Sequence, residues 1–322
     1  MAGILETIAT LGFSQLLSNV ISDYNKSSTR TLNATDAALQ TNFKAHFQAI
    51  YNKCRSIKTI LNDKPVDFLS IHTQQHFRSE NEQFDQFDFI DRFKQGESFI
   101  LIGTGGGGKS MFMRYLWLSL FENPSGKIPL FVELRQVNSL SNKNIENFIY
   151  HTVLQTGSSI SQTNFSRAMV AGDFYLLLDG FDEINHDIRS EIEHSIIQLL
   201  ENHPKLSIVI TSRPDERFSG WQQFTGCKVA PLTEDEVKDL IKKAPFAEEH
   251  KSNLLTKIKE GLYETHKSFL SNPLLAYMML VTISHDPYVP DKMFTFYAQA
   301  FEALFHRHDM TKGGFKRKFH TQ

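Results

Sequence analysis

"SFILIGTGGGGKS", residues Ser98 to Ser110, runs from an apolar stretch into four consecutive glycines and ends on a lysine and a serine. Four adjacent glycines disfavour regular structure, because ordering each one costs extra backbone entropy. The apolar residues before them and "SMFMRYLWLSLF" after them predict a strand, a tight loop and a helix in that order. Within that frame Gly103, Thr104, Gly105, Gly106, Gly107, Gly108, Lys109 and Ser110 satisfy G-x-x-x-x-G-K-[ST], the phosphate-loop pattern. Glycines let successive backbone N–H groups point inward at phosphate oxygens, and the helix start adds its dipole and its free N–H groups. Lys109 is placed to reach the β- and γ-phosphates of a nucleotide and Ser110 to ligate Mg²⁺; Met111 follows in the first helical turn and joins the nucleotide-contacting positions.

Two further stretches belong with this loop. "FYLLLDGFDEI" reads as a buried strand delivering Asp179 at its carboxyl end, where ligands of parallel sheets sit. Asp179 is therefore expected to hold Mg²⁺. Asp182 and Glu183 follow, placed to orient or deprotonate an attacking water. "LSIVITSRP" ends a third apolar strand with Arg213, whose guanidinium is suited to a γ-phosphate and so to telling ATP from ADP. A solvated arginine ahead of a proline has the same local sequence, and so that alternative stands beside it.

Outward from these motifs the pattern alternates. "IPLFVEL" and "CKVAPL" add two more short apolar runs separated by helical stretches, which predicts an α/β core with a parallel sheet covered on both faces. Residues 1–92 read as an N-terminal helical region. In it "TDAALQTNFKAHFQAIYNKCRSIKTIL" spaces Leu39, Phe43, Phe47, Ile50, Cys54, Ile57 and Leu61 along one helix face, and Pro65 ends the pattern. Residues 93–232 form the nucleotide-binding core. Residues 233–322 read as a helical lid, opened by a capping box at Thr233 and Glu236.

Composition excludes several classes. The net charge of −2 over 322 residues argues against a polyanion binder. The N-terminus has no basic residue before Lys26, which argues against a signal peptide and a membrane span. Two distant cysteines, Cys54 and Cys227, point to a reducing cytoplasmic compartment. His72 and His76 lack further ligands in the sequence for a metal. The basic tail from His306 to Gln322 suits a solvated terminus better than a nucleic-acid site, which nevertheless stays open.

Taken together, "GTGGGGKS", "IPLFVELR", "LLLDGFDE", "ITSRP", "VAPLTEDEV" and "NPLLAYMML" resemble the NACHT family of STAND NTPases, signalling ATPases of innate immunity, over residues 95 to 300. The resemblance implies a five-stranded parallel P-loop sheet of order 5-1-4-3-2. It also implies ATP or ADP with Mg²⁺ as ligands, slow hydrolysis, homo-oligomerisation on activation by an unknown trigger, and a bacterial antiphage setting. It implies, too, that Pro273 of "NPLL" lies near the adenine; as a helix-start residue Pro273 needs no ligand. Arg135 recurs at that place in the family without a role assigned here. The family normally continues into a winged-helix region and a sensor domain, so the expected reading is a chain truncated before them. A turnover ATPase or kinase and a nucleotide-stabilised scaffold are the rival functions.

Overall fold

The computed structural model describes residues 12–285 apart from 28–29, 33, 81, 140–142 and 155–157, together with residues 295 and 298. Apart from residues 295 and 298, the expected helix after residue 290 lies outside the described residues, as do the basic tail and the start of the N-terminal helix. The chain divides into two compact units. One comprises residues 1–55 and 74–230, the other 56–73 and 231–322.

In the first unit two helices, α1 (Phe13–Lys26) and α2 (Asp36–Arg55), precede the sheet. The second unit takes in the hairpin of β1 (Ser56–Thr59) and β2 (Asn62–Asp67). The chain then returns to the first unit with β3 (His76–Arg78), β4 (Gln83–Asp85), α3 (Gln86–Lys94) and β5 (Phe99–Ile102). After β5 come α4 (Lys109–Glu122), β6 (Ile128–Glu133), α5 (Ile145–Val153), α6 (Gln162–Ala171) and β7 (Phe174–Asp179). The unit closes with α7 (His186–Asn202), β8 (Ser207–Ser212) and β9 (Thr225–Val229).

The five strands read from the sequence pair in parallel in the order β9-β5-β8-β7-β6, which is 5-1-4-3-2 counted from the P-loop strand. The sheet itself has seven strands, a correction to the expected five: β3 adds antiparallel to β9, and β4 to β3. Each added strand is three residues long and offers a single buried apolar side chain, Phe77 or Phe84, too little for an alternation to be visible. β5, β6, β7 and β8 are buried along most of their length, as two-faced coverage by helices requires, whereas β9 fully buries Cys227 alone.

Helix α4 has buried residues all round: Phe112, Met113, Leu116, Trp117, Leu118, Leu120 and Phe121. A helix apolar on every face needs cover on its outer side. The N-terminal helices supply it, Phe47 lying against Trp117 and Phe121, and Phe13 stacking on Phe121. At the other end of α1 the Tyr24 hydroxyl donates to Asp173 Oδ2 at 2.7 Å, and Thr31 Oγ1 donates to the same oxygen at 2.8 Å. Asp173 is fully buried at the entry to β7, so these bonds are what make its burial tolerable.

The N-terminal region is not helical throughout, as the sequence had suggested: four short strands interrupt it. Helix α2 ends at Arg55, six residues before Leu61, the last position of its apparent periodicity. Leu61 is buried, but in the core of the second unit, beside Leu232, Val237, Ile241 and Leu280. Pro65 sits in β2 and terminates no helix. Among the described residues the rest of the second unit is mainly helical, with α8 (Glu234–Lys243), α9 (Glu248–Lys257) and α10 (Pro273–His285). The capping box at Thr233 and Glu236 is formed. Among the described residues no helix is long and apolar enough to cross a membrane.

Candidate nucleotide-binding site

The loop between β5 and α4 is bent by glycine where glycine is needed. Gly106 and Gly108 hold positive φ, +76° and +96°, and Gly107 N–H donates to the Thr104 carbonyl at 3.3 Å. Gly108 is also packed against Gln75, whose Nε2 donates to the Gly108 carbonyl at 3.3 Å. The Gln75 side chain is buried, and its Oε1 is without a hydrogen-bond partner. Lys109, the first residue of α4, folds back to donate from Nζ to the carbonyls of Gly103 and Thr104. Burial lowers the Lys109 pKa, against the opposing pull of Asp182 and Asp179. An ammonium held by two loop carbonyls is in place to exchange them for phosphate oxygens.

Ser110 meets Asp179 directly, its hydroxyl donating to Asp179 Oδ1 at 3.2 Å. Asp179 closes β7. Burial raises its pKa, while hydrogen bonds from Thr211 and Ser110 pull the other way. Thr211, on the neighbouring β8, both donates to Asp179 Oδ1 and accepts from Gly180 N–H at 2.8 Å, so it fixes the carboxylate and the turn behind it. A hydroxyl and a carboxylate are hard oxygen donors of the kind Mg²⁺ uses. That cation is commonly bound by one or two carboxylates together with phosphate oxygens rather than by a full protein cage. The described residues contain no group of three or more His, Cys, Asp or Glu able to hold a metal. Ser110 and Asp179 fit the expected Mg²⁺.

Asp182 and Glu183 differ in what they do. Asp182 takes both the backbone N–H of Arg213, at 3.1 Å to Oδ1, and its side-chain Nε, at 3.0 Å to Oδ2. The Arg213 side chain is 68% exposed, so it is held at the surface by one carboxylate. Glu183 is exposed, its carboxyl carbon close to Gly180. The turn carrying both is braced from beneath. Buried Arg189 donates to the carbonyls of Asp182 and Ile184, and Asn138 donates to the Glu183 carbonyl at 3.0 Å.

Residues 97–248 match the family model described as the NACHT domain. The chain carries a NACHT domain. It is a P-loop NTPase domain that binds nucleotide, and its phosphate loop, Asp179 and Arg213 all fall inside the matched span. No curated protein matches the chain. Among solved structures it is similar to domain III of the replication initiation protein DnaA from Thermotoga maritima, at 13% identity and a TM-score of 0.39, covering 69% of this chain and 88% of that one.

Pro273 lies in the second unit, at the first position of α10, with Asn272 Oδ1 accepting from the N–H groups of Leu274 and Leu275. That is the helix-start role. Four residues that pack around these motifs escaped the sequence reading. Thr211 and Arg189 lie on or beside recognised motifs but look like ordinary strand and helix residues. Gln75 and Lys53 come from segments with no motif at all. The one available signal was the polar Thr211 in an otherwise apolar strand run.

Proposed function

We propose that the protein is an ATP-dependent signalling switch of the STAND type. It binds ATP or ADP with Mg²⁺ at the phosphate loop and hydrolyses ATP slowly. The nucleotide state then controls oligomerisation in innate, antiphage defence. In this reading Lys109 contacts the β- and γ-phosphates, Ser110 and Asp179 hold the cation, and Glu183 orients the attacking water. Mg²⁺, when bound, neutralises charge developing on the phosphates.

The observation that carries the switch is the Arg213–Asp182 pair. An exposed ion pair contributes little, typically under about 1 kcal/mol. A γ-phosphate therefore competes for the guanidinium on favourable terms, because charge-assisted contacts to phosphate are stronger. ADP offers no such group. The two nucleotides thus differ in whether Arg213 stays on Asp182, and a ligand shifts a conformational equilibrium only through such a difference.

Two measurements test this. Melting in the presence of Mg²⁺ and nucleotide should show strong stabilisation, about 2.7 kcal/mol at a hundredfold excess over Kd. Steady-state ADP release should be far below the roughly 1–100 s⁻¹ of phosphotransfer enzymes. Release in that range would make the protein a turnover enzyme, and an unmoved melting temperature would remove the nucleotide site altogether. Arg213→Ala should weaken ATP binding about tenfold, the loss of one charged hydrogen bond, and leave ADP binding within about twofold. Equal losses for both nucleotides in a competition assay would show that Arg213 does not read the γ-phosphate.

A further inference from the structure

The last turn of α2 brings a charge to the nucleotide site that no motif announces. Lys53 Nζ lies 2.6 Å from Glu133 Oε1 and 5.4 Å from the centre of the Phe131 ring. Glu133 closes β6 and is the register partner of Asp179 in β7, so two carboxylates end adjacent strands at the same level. Arg135 also pairs with Glu133, at 3.1 Å, but its side chain is mostly exposed. Electrostatically Lys53 favours the ionised form of Asp179, and Glu133 opposes it. The backbone around Lys53 is anchored. Its carbonyl accepts from Arg114, four residues along α4 from Ser110, and Phe47 of the same helix is fixed on Trp117 and Phe121. What stays adjustable is the side-chain ammonium. Two residues beyond it the chain passes from the first unit to the second.

We propose that Lys53 is a displaceable counter-ion of the nucleotide site, neutralising Glu133 until a divalent cation arrives with the nucleotide at Ser110 and Asp179. This rests on the reading of that pair as the cation site. A cation at Asp179 repels the ammonium and takes over compensation of the neighbouring carboxylate. Whatever factor metal–nucleotide costs the Lys53–Glu133 pair, the pair costs metal–nucleotide the same factor. Loading of the site is thereby registered at the end of α2, beside the point where the chain leaves for the second unit. The residues that couple are few: Lys53 senses, Glu133 transmits, and Arg114 keeps the helix end in place.

The test is a charge cycle read by affinity. A fluorescent ADP analogue is titrated with Mg²⁺ and again with EDTA, and the ratio of the two affinities measures the metal's contribution. Lys53→Met keeps an apolar stem over Phe131 and leaves Glu133 less compensated, so the metal contribution should rise roughly fivefold or more. Glu133→Gln leaves Lys53 to act on Asp179 alone, so it should fall by a similar factor. The double variant should return toward the wild-type ratio. Shifts of the two single variants in the same direction, or unchanged ratios, would each overturn the counter-ion role. Wild-type protein that binds the analogue under neither condition overturns the cation-site reading and this inference with it.

Discussion

Asp179→Asn will raise the melting temperature of the nucleotide-free protein and abolish the Mg²⁺-dependent part of nucleotide binding. The two effects have one cause. Asp179 is sequestered at the end of β7, and burial raises its pKa despite donated hydrogen bonds from Thr211 and Ser110. A carboxyl group whose folded pKa lies above its unfolded value binds a proton more readily when folded. Its contribution to stability is complete below the unfolded value and is lost as pH climbs through the folded one. At neutral pH the charged form is therefore a burden on the free protein, and the neutral amide of the same shape removes it. The loss of metal binding follows from the same substitution, since an amide oxygen carries no formal charge to meet a dication. Cation stabilisation of phosphate charge is worth several kcal/mol, and at about 1.4 kcal/mol per tenfold the affinity in Mg²⁺ should fall about a hundredfold. In EDTA the variant and the wild type should bind ADP alike. Calorimetric melting and a nucleotide titration in both buffers check the pair of outcomes. A variant that melts lower than wild type when free of nucleotide would show that Asp179 is held as a structural acceptor and is not kept for a cation.

The motif residues on the nucleotide site could be read in one dimension because their chemistry demands a fixed local context. A glycine run between a buried strand and a helix has few other uses, and an aspartate at the end of "FYLLL" can only emerge at the ligand edge of a parallel sheet. What could not be read depends on side chains meeting across long sequence separations. Lys53 reaches Glu133 from eighty positions earlier in the chain, and nothing local distinguishes it from the other lysines of an amphipathic helix. By its position after Asp179, Asp182 reads as a group that orients or deprotonates an attacking water. Only the approach of β8 shows that its carboxylate is taken by Arg213. The missed strands fail for a different reason. β3 and β4 borrow their stability from β9 and from Phe77, Phe84 and Phe89 in one aromatic cluster, so their sequences need little strand character of their own. The periodicity that ran on to Leu61 was a coincidence of spacing between two cores: Phe43, Phe47 and Cys54 are buried in the first unit, Leu61 in the second.

Gly108→Ala will cost the protein both stability and nucleotide affinity, whereas Gly105→Ala, three residues earlier in the same glycine run, will be tolerated. Gly108 has φ of +96°, a left-handed conformation that an L side chain adopts only with strain of about 1–2 kcal/mol. A Cβ there would also sit 2.7 Å from Gln75 Nε2, closer than real contacts allow, while around Gly105 the space is open and φ is not positive. The strained position is also the one that aims the loop, because Gly108 immediately precedes Lys109 and the start of α4. Relaxing the strain by rotating the peptide would turn N–H groups away from the phosphates they are arranged to receive. The expected result is a loss of roughly 1–3 kcal/mol in thermal or denaturant unfolding for Gly108→Ala. Nucleotide affinity should drop at least tenfold, and the Gly105→Ala values should stay near wild type. Adding Gln75→Ala removes the steric contact but not the backbone strain, so the double variant should recover part of the stability and little of the affinity. Full recovery of affinity would mean that crowding by Gln75, and not the handedness of the backbone at Gly108, sets the shape of the phosphate loop.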